Sequence, residues 1–362
     1  LVIASLQSGG AERVAINLAR GFANDGNQVS LITLSSQQTD FYDVPNKVGR
    51  VALDCMTPSS GFLSALRSNR KRVSLIRNAL HDLYPEVTIS FCTETNVLVL
   101  LASSNLATKV VITEHSDPVR NRYGMIWQIM RRLLYARTDK LVCVSRGVAK
   151  YFDWIQGDKV HVINNPVLIG STGLVDEELP AGVDESKKWI TSVGRMDFHK
   201  GIDLIIGAVA KIRNEFGDWQ LILIGDGELR EELELLSRKH QLGYQVVFVG
   251  KLQDPHQLVR RSKLFVMGSR FEGFPMAHAE ALMCGVPVVA TNCPSGPSEM
   301  IEHGVNGLLV PPEDADSLSK AMLCVMKDAE MQTRMAHAAV GIKSRLGLAP
   351  IMRQWQDLFD RF

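Results

Sequence analysis

The sequence predicts an α/β protein of two domains, each built around a parallel β-sheet. The chain has 362 residues, more than one ordinary domain needs, and 46% of them are hydrophobic, which is enough for two cores. Short, continuous apolar runs alternate with segments of helical period, as expected where strands are buried on both faces. We therefore expect a first domain at 1–169, a linker without helical period at 170–186, a second domain at 187–345 and a final helix at 346–362.

The first series of elements begins with a strand that runs into a helix across two glycines, Gly9 and Gly10. Glycines at this point let a ligand approach the backbone at the start of a helix. Another helix is predicted from its period at 62–83, whereas residues 35–54 show only a weak pattern. The strands predicted in this half are 1–6, 28–34, 86–91, 109–114, 140–144 and a last one that closes at 164–167.

The second series repeats the alternation and ends in three helices. Its predicted strands are 189–193, 219–225, 246–250, 264–267, 286–291 and 306–312. Its predicted helices after the last strand are 315–327, 330–344 and an amphipathic one at 351–362.

Composition limits the class of protein and its compartment. The six cysteines form no CxxC or Cys/His zinc spacing, so we expect buried thiols in a reducing compartment and no structural metal. The chain opens without methionine inside an apolar run, so we expect residues to be missing at its front. No run of about 18 apolar residues occurs. The expected location is the cytoplasm or, peripherally, the inner face of the plasma membrane.

Charge is distributed unevenly along the chain. Residues 1–165 hold 19 Lys and Arg against 13 Asp and Glu, a net charge of +6, and residues 166–362 hold 21 against 26, a net charge of −5. A basic first half indicates an anionic partner, which is an anionic membrane surface or a diphosphate-bearing acceptor rather than nucleic acid. The basic residues concentrate in two partly apolar segments. An amphipathic membrane-surface helix and an ordinary solvated face would explain the first, 67–77, equally well, and the second, 120–137, strengthens the membrane-surface interpretation.

One loop and helix in the second half combine an anion site with two carboxylates. Pro275 and Gly285 bracket a helix of about ten residues, since Pro suits the first turn and Gly the position after the end. The backbone N–H groups of Gly273 and Phe274, in the same turn as Pro275, then point out of the N-terminus of this helix. A helix N-terminus suits a diphosphate. Glu272 lies in the loop and Glu280 further along the helix, where carboxylates suit sugar hydroxyls.

These residues carry a resemblance to a known family. Glu272, the following Gly-Phe-Pro and Glu280 resemble the E-x7-E motif of retaining glycosyltransferases of family 4, and Arg195 and Lys200 resemble that family's paired cations. The resemblance covers nearly the whole chain, most specifically 189–311, and only loosely 35–85. It implies the GT-B fold, in which two Rossmann-like domains face a cleft and a C-terminal helix crosses back to the first domain.

The resemblance also implies roles for individual residues. Arg195 and Lys200 would hold the donor diphosphate, Glu272 the donor sugar and Glu280 the nucleoside ribose. The remaining residues expected near the donor are Gly9, Gly10, Gly273, Phe274, Pro275, the strand-end pair Lys251 and Leu252 for the nucleobase, and His115, near the reaction centre. A plain turn at the glycines, surface charges at 195 and 200 and a structural histidine at 115 remain the alternatives.

The function expected from this resemblance is metal-independent, retaining transfer of a hexose or N-acetylhexosamine. The donor would be a nucleotide sugar, expected to be a UDP-sugar, with no further cofactor. The acceptor would be a glycan or a polyprenyl-diphosphate-linked glycan in bacterial cell-surface synthesis. A nucleotide-sugar epimerase of the same fold and a non-catalytic sugar-nucleotide-binding protein are the alternatives, and an epimerase would convert the donor with no acceptor present.

Overall fold

The computed structural model describes residues 1–56, 61–120, 123–169 and 178–362, which form two compact units. The first unit comprises Leu1–Val167 and Leu346–Phe362, and the second comprises Leu168–Arg345. The predicted linker lies partly outside the described residues, at 170–177. Its remainder packs onto the second unit, where Leu179 and Val183 contact the apolar cluster around Trp189.

The first unit contains a seven-stranded parallel sheet in the order β3-β2-β1-β4-β5-β6-β7. Its strands are β1 Val2–Ile3, β2 Val29–Thr33, β3 Val48–Ala52, β4 Val87–Phe91, β5 Lys109–Glu114, β6 Lys140–Cys143 and β7 Val160–Val162. Its first helices are α1 Gly10–Asn24, α2 Phe62–Leu83, α3 Thr93–Ala102, α4 Met125–Leu134 and α5 Arg146–Ala149.

Three differences from the predicted strands occur in this sheet. β1 is only Val2–Ile3, although a strand was predicted over 1–6. β3 lies in the region where the sequence showed only a weak pattern, and it pairs with β2 along its whole length, from Val29 opposite Val48 to Thr33 opposite Ala52. As an outer strand with half-buried residues, it has no continuous apolar run to detect. The last strand ends at Val162, earlier than predicted, and the chain continues to Val167 without regular structure apart from one bridge.

The second unit contains a six-stranded parallel sheet in the order β10-β9-β8-β11-β12-β13. Its strands are β8 Lys188–Val193, β9 Trp219–Ile224, β10 Val246–Gly250, β11 Leu264–Met267, β12 Val288–Thr291 and β13 Gly307–Val310. Its helices are α6 Ile202–Lys211, α7 Arg230–Lys239, α8 His256–Arg261, α9 Met276–Met283, α10 Pro297–Met300, α11 Ala315–Lys327, α12 Ala329–Ala339 and α13 Lys343–Leu346. The helix predicted at 330–344 is therefore divided between α12, a 3-10 turn and α13.

The final helix, α14 at Leu348–Phe359, belongs to the first unit. Its buried face packs on α1, where the Phe22 ring lies edge-on to Trp355, with centroids 5.9 Å apart, and beside Phe359 at 5.6 Å. A Cβ at Gly21 would overlap the Met352 sulfur, so glycine permits this close approach of the helices. The predicted return of the C-terminal helix to the first domain, part of the predicted fold class, is confirmed.

Strand order reverses once in each sheet, between β1 and β4 and between β8 and β11. At such a switch point the loops that follow the two strands diverge, and ligands of open α/β sheets bind beyond the carboxyl ends of the strands. Gly9 and Gly10 follow β1, and residues 194–201 and 268–275 follow β8 and β11. The fold therefore places most of the predicted donor residues at switch points.

Candidate functional site

The loops after β8 and β11 touch through their backbones. Gly201 has φ +58°, and a Cβ there would overlap the carbonyl oxygen of Gly268, so only glycine fits both the conformation and the space. Arg270 N–H donates to the carbonyl of His199 over 2.8 Å. The two loops that carry Lys200 and Glu272 are thus held together before any side chain is considered.

Lys200 and Glu272 form an ion pair between these loops. Lys200 Nζ and Ser269 Oγ each donate to Glu272 Oε1 over 2.7 Å. Burial acts to raise the pKa of Glu272, but the charge and hydrogen bond of Lys200, together with the Ser269 hydroxyl, outweigh it, and the pKa lies below its ordinary value. Glu272 is therefore a carboxylate at neutral pH with a bound cation beside it.

Arg270, to which the sequence assigned no role, ties the same loops together. Its guanidinium donates to both carboxylate oxygens of Asp203, over 2.9 and 2.7 Å, and to Glu313 over 2.7 Å. It also donates to the carbonyl of Phe198 and stacks over the Phe198 ring at 4.1 Å. Each guanidinium nitrogen of this buried side chain thus has an acceptor, so Arg270 supports the site without being available to a ligand.

Arg195 is placed differently from Lys200. Its side chain is 70% exposed, and Nη2 lies 3.1 Å from Asp197 Oδ2. Asp197 in turn accepts N–H bonds from His199 and Lys200 and so caps the 3-10 turn Phe198–Lys200. Arg195 is consequently the accessible cation of the pair that the sequence singled out, whereas Lys200 is mostly buried.

Helix α9 begins shortly after Glu272, at Met276. Pro275 is its N-cap and Met276 its first residue, so the helix begins one residue later than predicted, and Gly285 with φ +75° follows its end. Gly273, Phe274 and Pro275 are all buried. The predicted helix of about ten residues is confirmed in place, with eight residues in the structure.

Glu280 lies on the buried face of α9, beside a histidine that the sequence analysis missed. The His256 ring is buried between two carboxylates, with Nδ1 2.9 Å from Asp254 Oδ1 and Nε2 3.4 Å from Glu280 Oε2. The second contact is within ion-pair distance but is not aligned as a hydrogen bond. The signal in the sequence is the Asp-x-His at the start of α8, directly after the loop predicted to receive the nucleobase.

That nucleobase loop begins at the end of β10. Lys251 is exposed, whereas Leu252 is half-buried and packs against the apolar cluster of Trp189, Ile224 and Leu258. Leu252 therefore helps to fix the loop, and its contact with a base stays a prediction.

In the first unit, Gly9 and Gly10 lie at the start of α1. Gly9 is the N-cap in extended conformation, and its carbonyl accepts from Arg13 N–H and from the Tyr42 hydroxyl over 3.3 Å. The glycines thus stand at a helix start after β1, as predicted, and their contact with a donor stays a prediction.

His115 follows β5 and has a definite tautomer. Thr113 Oγ1 donates its proton to the carbonyl of Ser90, so the 2.8 Å contact with His115 must be a donation from Nε2–H. Nδ1 is then a lone-pair acceptor, buried and without a hydrogen-bond partner. Burial lowers the pKa of His115 to about 4, so the imidazole is neutral at pH 7 and could accept a hydroxyl proton.

Glu114, next to His115, is fully buried and was not predicted to matter. Its carboxylate accepts from Thr93 over 2.9 Å, from Asn96 over 3.4 Å and from the Tyr135 hydroxyl at short range. Burial raises the pKa of Glu114, although these hydrogen bonds and the Arg131 charge act to lower it. The network holds the end of β5, and hence His115, against α3.

Two models of protein families match the chain. The model described as "Glycosyltransferase Family 4" matches residues 8–169, and the model described as "Glycosyl transferases group 1" matches residues 177–340. Together they account for most of the chain, with one model on each unit. The protein belongs to glycosyltransferase family 4.

Similar proteins agree with this assignment. The glycosyltransferase is 26% identical over 99% of its length, and 96% of the relative, to a Campylobacter jejuni protein named "GalNAc-alpha-(1->4)-GalNAc-alpha-(1->3)-diNAcBac-PP-undecaprenol alpha-1,4-N-acetyl-D-galactosaminyltransferase". It is 22% identical over 98% of its length, and 96% of the relative, to the amylovoran biosynthesis glycosyltransferase AmsD of Erwinia amylovora. The crystal structure of Anabaena HepE in complex with UDP and glucose superposes with a TM-score of 0.80 at 20% identity, covering 100% and 99% of the two chains. This likeness confirms the fold.

The basic segment 67–77 of the glycosyltransferase lies on α2 and divides into bound and exposed residues. Arg72 donates to the carbonyl of Cys55 and to Asn69, and Arg77 donates to the carbonyl of Leu101. Arg67, Arg70 and Lys71 are exposed. The exposed three are therefore the part of this segment that can meet an anionic partner.

The second basic segment, 120–137, contains α4, with residues 121 and 122 outside the described part of the chain. Arg131 is buried, donates to the Tyr151 hydroxyl over 2.6 Å and lies over the Tyr151 ring at 4.8 Å, while Arg132 lies over Trp154 at 4.1 Å. α4 exposes four large apolar residues, each by 52% to 77%, which are Met125, Ile126, Ile129 and Leu133. Gln128 and Arg132 of the same helix are exposed as well. Both α2 and α4 pack against α3.

Neither a metal-binding cluster nor a membrane-spanning helix occurs in the part of the chain that the structure describes. Within ranges 1–56, 61–120, 123–169 and 178–362, no group of three or more His, Cys, Asp or Glu side chains is arranged to hold a metal ion. Among the helices described there, none combines the length and the apolar character that crossing a bilayer requires.

Proposed function

We propose that this glycosyltransferase transfers a hexose or N-acetylhexosamine from a UDP-sugar to a polyprenyl-diphosphate-linked glycan, with retention and without a metal ion. The observation that carries the proposal is the Lys200–Glu272 ion pair at the β8–β11 switch point, with the exposed Arg195 on the same loop. The lipid-linked substrate and the donor class follow the printed names of a relative and a structural neighbour.

In this mechanism two cations take the charge that develops on the departing diphosphate. Arg195 binds phosphate oxygens in a bidentate fashion, and the Lys200 ammonium is shared between Glu272 and the diphosphate. Glu272 accepts from donor-sugar hydroxyls, which its lowered pKa allows because the carboxylate persists at neutral pH. Glu280 accepts from the ribose.

Retention is proposed to follow from attack on the face that the diphosphate leaves. Glu272 is engaged by Lys200 and Ser269, and Glu280 lies against His256, so neither is free to act as a covalent nucleophile. The neutral His115 would accept a hydroxyl proton or hold a sugar hydroxyl through Nδ1. Gly9 and Gly10 would allow close approach of the donor.

Removing Arg195 tests the role of the accessible cation. We expect Arg195→Ala to lower kcat by about 100-fold, equivalent to about 3 kcal/mol of transition-state stabilisation, as for loss of one strong oxyanion donor. Because the side chain is largely exposed, the free energy of unfolding should stay within about 0.5 kcal/mol of the wild type. Arg213→Ala, at another exposed arginine of the second unit, is the control, and an Arg195→Ala enzyme with unchanged kcat would contradict the role.

The metal and stereochemical claims have direct tests. Activity should persist in EDTA, and NMR of the first product should show the anomeric configuration of the donor. Activity that disappears in EDTA and returns with manganese would overturn metal independence. Conversion of the donor to an isomer with no acceptor present would instead indicate an epimerase.

The donor can be identified by thermal unfolding with a panel of nucleotide sugars. A ligand at 100 times its dissociation constant raises the free energy of unfolding by about 2.7 kcal/mol, so the true donor should stand apart from the rest. Stabilisation by a guanosine or adenosine diphosphate sugar and none by uridine compounds would contradict the UDP-sugar assignment.

We further propose that the enzyme works at an anionic membrane surface through α2 and α4. Arg67, Arg70 and Lys71 would supply about 1 kcal/mol each near anionic lipid, and the exposed apolar residues of α4 would enter the headgroup layer. The net charge of +6 on residues 1–165, 19 basic against 13 acidic, favours the same partner.

Vesicle co-sedimentation separates this proposal from binding of the acceptor diphosphate alone. Binding should need anionic lipid, weaken with salt and fall in the triple variant Arg67→Gln, Arg70→Gln, Lys71→Gln, while the triple variant Arg213→Gln, Arg238→Gln, Lys239→Gln has the same charge change on the second unit and should bind normally. Ile126→Ser with Ile129→Ser should also weaken binding, with the exposed Leu235→Ser as control. Equal binding to neutral and anionic vesicles would overturn the proposal.

A further inference from the structure

Arg270 is bound to the loop of Lys200 through both its backbone and its side chain. Its backbone N–H donates to the carbonyl of His199 over 2.8 Å, and Nη1 donates to the carbonyl of Phe198 over the same distance. Lys200 follows these two carbonyls directly, and Glu272 comes two residues after Arg270. The position of Arg270 therefore sets where the Lys200 ammonium and the Glu272 carboxylate meet.

Two carboxylates from other parts of the second unit fix the guanidinium in turn. Asp203, in the first turn of α6, accepts from Nη1 and Nη2 over 2.9 and 2.7 Å, and Glu313, between β13 and α11, accepts from Nε over 2.7 Å. The Arg270 side chain is 9% exposed, whereas those of Asp203 and Glu313 are 41% and 57% exposed. Ion pairs with carboxylates this open to water add little to stability, so stability is a weak reason for the arrangement.

Glu313 holds its place in a backbone conformation that few residues adopt. Its φ is +59°, in the left-handed region, which costs free energy for a residue with a Cβ and none for glycine. The start of α11 does not need this side chain, because Asp314 caps the helix by accepting from Ser317 N–H over 2.9 Å. Strain of this kind is found mostly at functional sites, and the hydrogen bond to Arg270 accounts for a glutamate here.

We infer that Arg270, Asp203 and Glu313 are positioning residues for the transfer reaction. The two carboxylates hold the guanidinium, and the guanidinium holds Lys200 against Glu272, where the departing diphosphate needs the ammonium. This positioning role rests on the proposed role of Lys200 as a cation for the diphosphate, and it extends that role to residues that do not touch the substrate. Glu313 is then a residue that raises the rate although its backbone conformation lowers stability.

The first test changes the strained residue. Glu313→Gly removes the contact with Arg270 and relieves the backbone, so we expect kcat to fall about tenfold while the midpoint of thermal unfolding stays within about 2 °C of the wild type or rises. Gln241→Gly is the matched control, because Gln241 is an exposed residue of the second unit with φ +56°. It should change the thermal midpoint in the same way and leave kcat unchanged.

The second test uses a conservative variant of Arg270. The guanidinium makes four hydrogen bonds, two to Asp203 and one each to Glu313 and the Phe198 carbonyl, whereas a lysine offers three donors on one nitrogen. We expect Arg270→Lys to lower kcat about tenfold and to change KM for the donor by less than about threefold, because a misplaced Lys200 is felt mainly in the transition state. Arg270→Met should lower kcat about 100-fold.

A double variant shows whether Arg270 acts through Lys200. If it does, Arg270→Lys combined with Lys200→Met should lose no more activity than Lys200→Met alone, because the ammonium that Arg270 positions is already gone. A merely structural role of Arg270 would instead give losses that multiply. The residual activities are compared at high enzyme concentration and saturating donor.

Failure of the positioning role and failure of the proposed function give different results. A Lys200→Met enzyme with the kcat of the wild type would overturn the proposed role of Lys200 and the positioning role with it. A Lys200→Met enzyme that loses activity while Glu313→Gly keeps the kcat of Gln241→Gly, or losses that multiply in the double variant, would overturn the positioning role alone. If Arg270→Met fails to fold, Glu313→Gly and its control decide the matter.

Discussion

Two glutamates, one in each unit, are buried near the end of a β-strand, and their pKa values move in opposite directions. Glu114 ends β5 among a hydroxyl from Thr93, a hydroxyl from Tyr135 and an amide from Asn96, and burial raises its pKa. Glu272 follows β11, and although burial acts in the same sense, the Lys200 ammonium 2.7 Å away lowers its pKa. Neutral donors satisfy a buried carboxylate, but a cation in contact is what keeps it charged.

The largest effect should come from removing that cation. Lys200→Met leaves Glu272 buried with only the Ser269 hydroxyl, and we expect the free energy of unfolding at pH 7 to fall by about 3 kcal/mol. A carboxyl with a lowered pKa contributes stability above its unfolded pKa and loses it as pH falls, so the difference between variant and wild type should shrink toward about pH 4. Denaturant titration at several pH values measures it.

The control for this experiment is the double variant Lys200→Met, Glu272→Gln. It should recover most of the stability, because the buried charge is gone, without recovering activity. An equal loss of stability at neutral and acid pH would mean that Lys200 stabilises the unit by packing rather than by its charge.

A smaller effect is expected from His278, which lies on α9 beside the same ion pair. Burial, which outweighs the attraction of the Glu272 charge, lowers the pKa of His278 to about 4 from the ordinary 6.5, and neither ring nitrogen has a hydrogen-bond partner. The unfolded chain therefore takes up a proton first, and stability is lost as pH falls from 6.5 toward 4.

His278→Leu should remove that loss. At about pH 5 the histidine costs about 2 kcal/mol relative to neutral pH, from 1.36 kcal/mol per pKa unit, and the variant should show a correspondingly flatter profile of unfolding free energy against pH. His337→Leu, on the exposed face of α12, is the matched control. A His278→Leu profile as steep as that of the wild type would contradict this prediction.

The smallest effect should follow from weakening the network of neutral donors. Tyr135→Phe removes the hydroxyl that donates to Glu114, and we expect a loss of about 1.5 kcal/mol at pH 7. A carboxyl whose pKa is raised in the folded state stabilises the fold fully below its unfolded pKa. The stabilisation is lost as pH rises through the folded pKa. The variant should raise the pKa of Glu114 further and be closest to the wild type in acid.

The exposed Tyr244→Phe in the second unit should leave unfolding unchanged and serves as the control. Denaturant titration of the wild type and the variants at pH 5 and pH 7 checks the prediction. A change in the free energy of unfolding counts only if it exceeds about 1 kcal/mol. A Tyr135→Phe loss that does not depend on pH would indicate a hydrogen bond that matters only for packing.

Sequence reasoning located the strands with continuous apolar runs and the loops that follow them. β5 and β11 are at their predicted positions, because strands buried on both faces are nearly uninterrupted in apolar character. β10 is also at its predicted position, although it is an outer strand with mostly half-buried residues, because its run of Val246 to Val249 is apolar throughout. β3 was not predicted because Gly49 and Arg50 interrupt its apolar residues, so it contains no continuous apolar run. Helix breaks such as that between α12 and α13 depend on packing that periodicity does not record.

The site was predictable where its residues form a motif and hidden where distant residues meet. Lys200 and Glu272 were found separately, but their pairing joins positions 72 residues apart. Arg270 and His256 look like ordinary surface residues in the sequence. Only the fold brings Asp203 into contact with Arg270 and Glu280 into contact with His256. Their place beside the candidate site depends on burial and partners rather than on spacing along the chain.

The bridge between Val167 and Gly347 has a consequence for the order in which the protein is made. Val167 N–H donates to the carbonyl of Leu346 over 2.8 Å, so the chain leaves the first unit and returns to it at one place, with the whole second unit in between. During synthesis from the N-terminus, the face of α1 that carries Phe22 stays uncovered until the whole second unit has been made and Trp355 and Phe359 follow it. A chain interrupted before α14 would thus display an apolar surface to chaperones and proteases, and α14 covers that surface once it has been made.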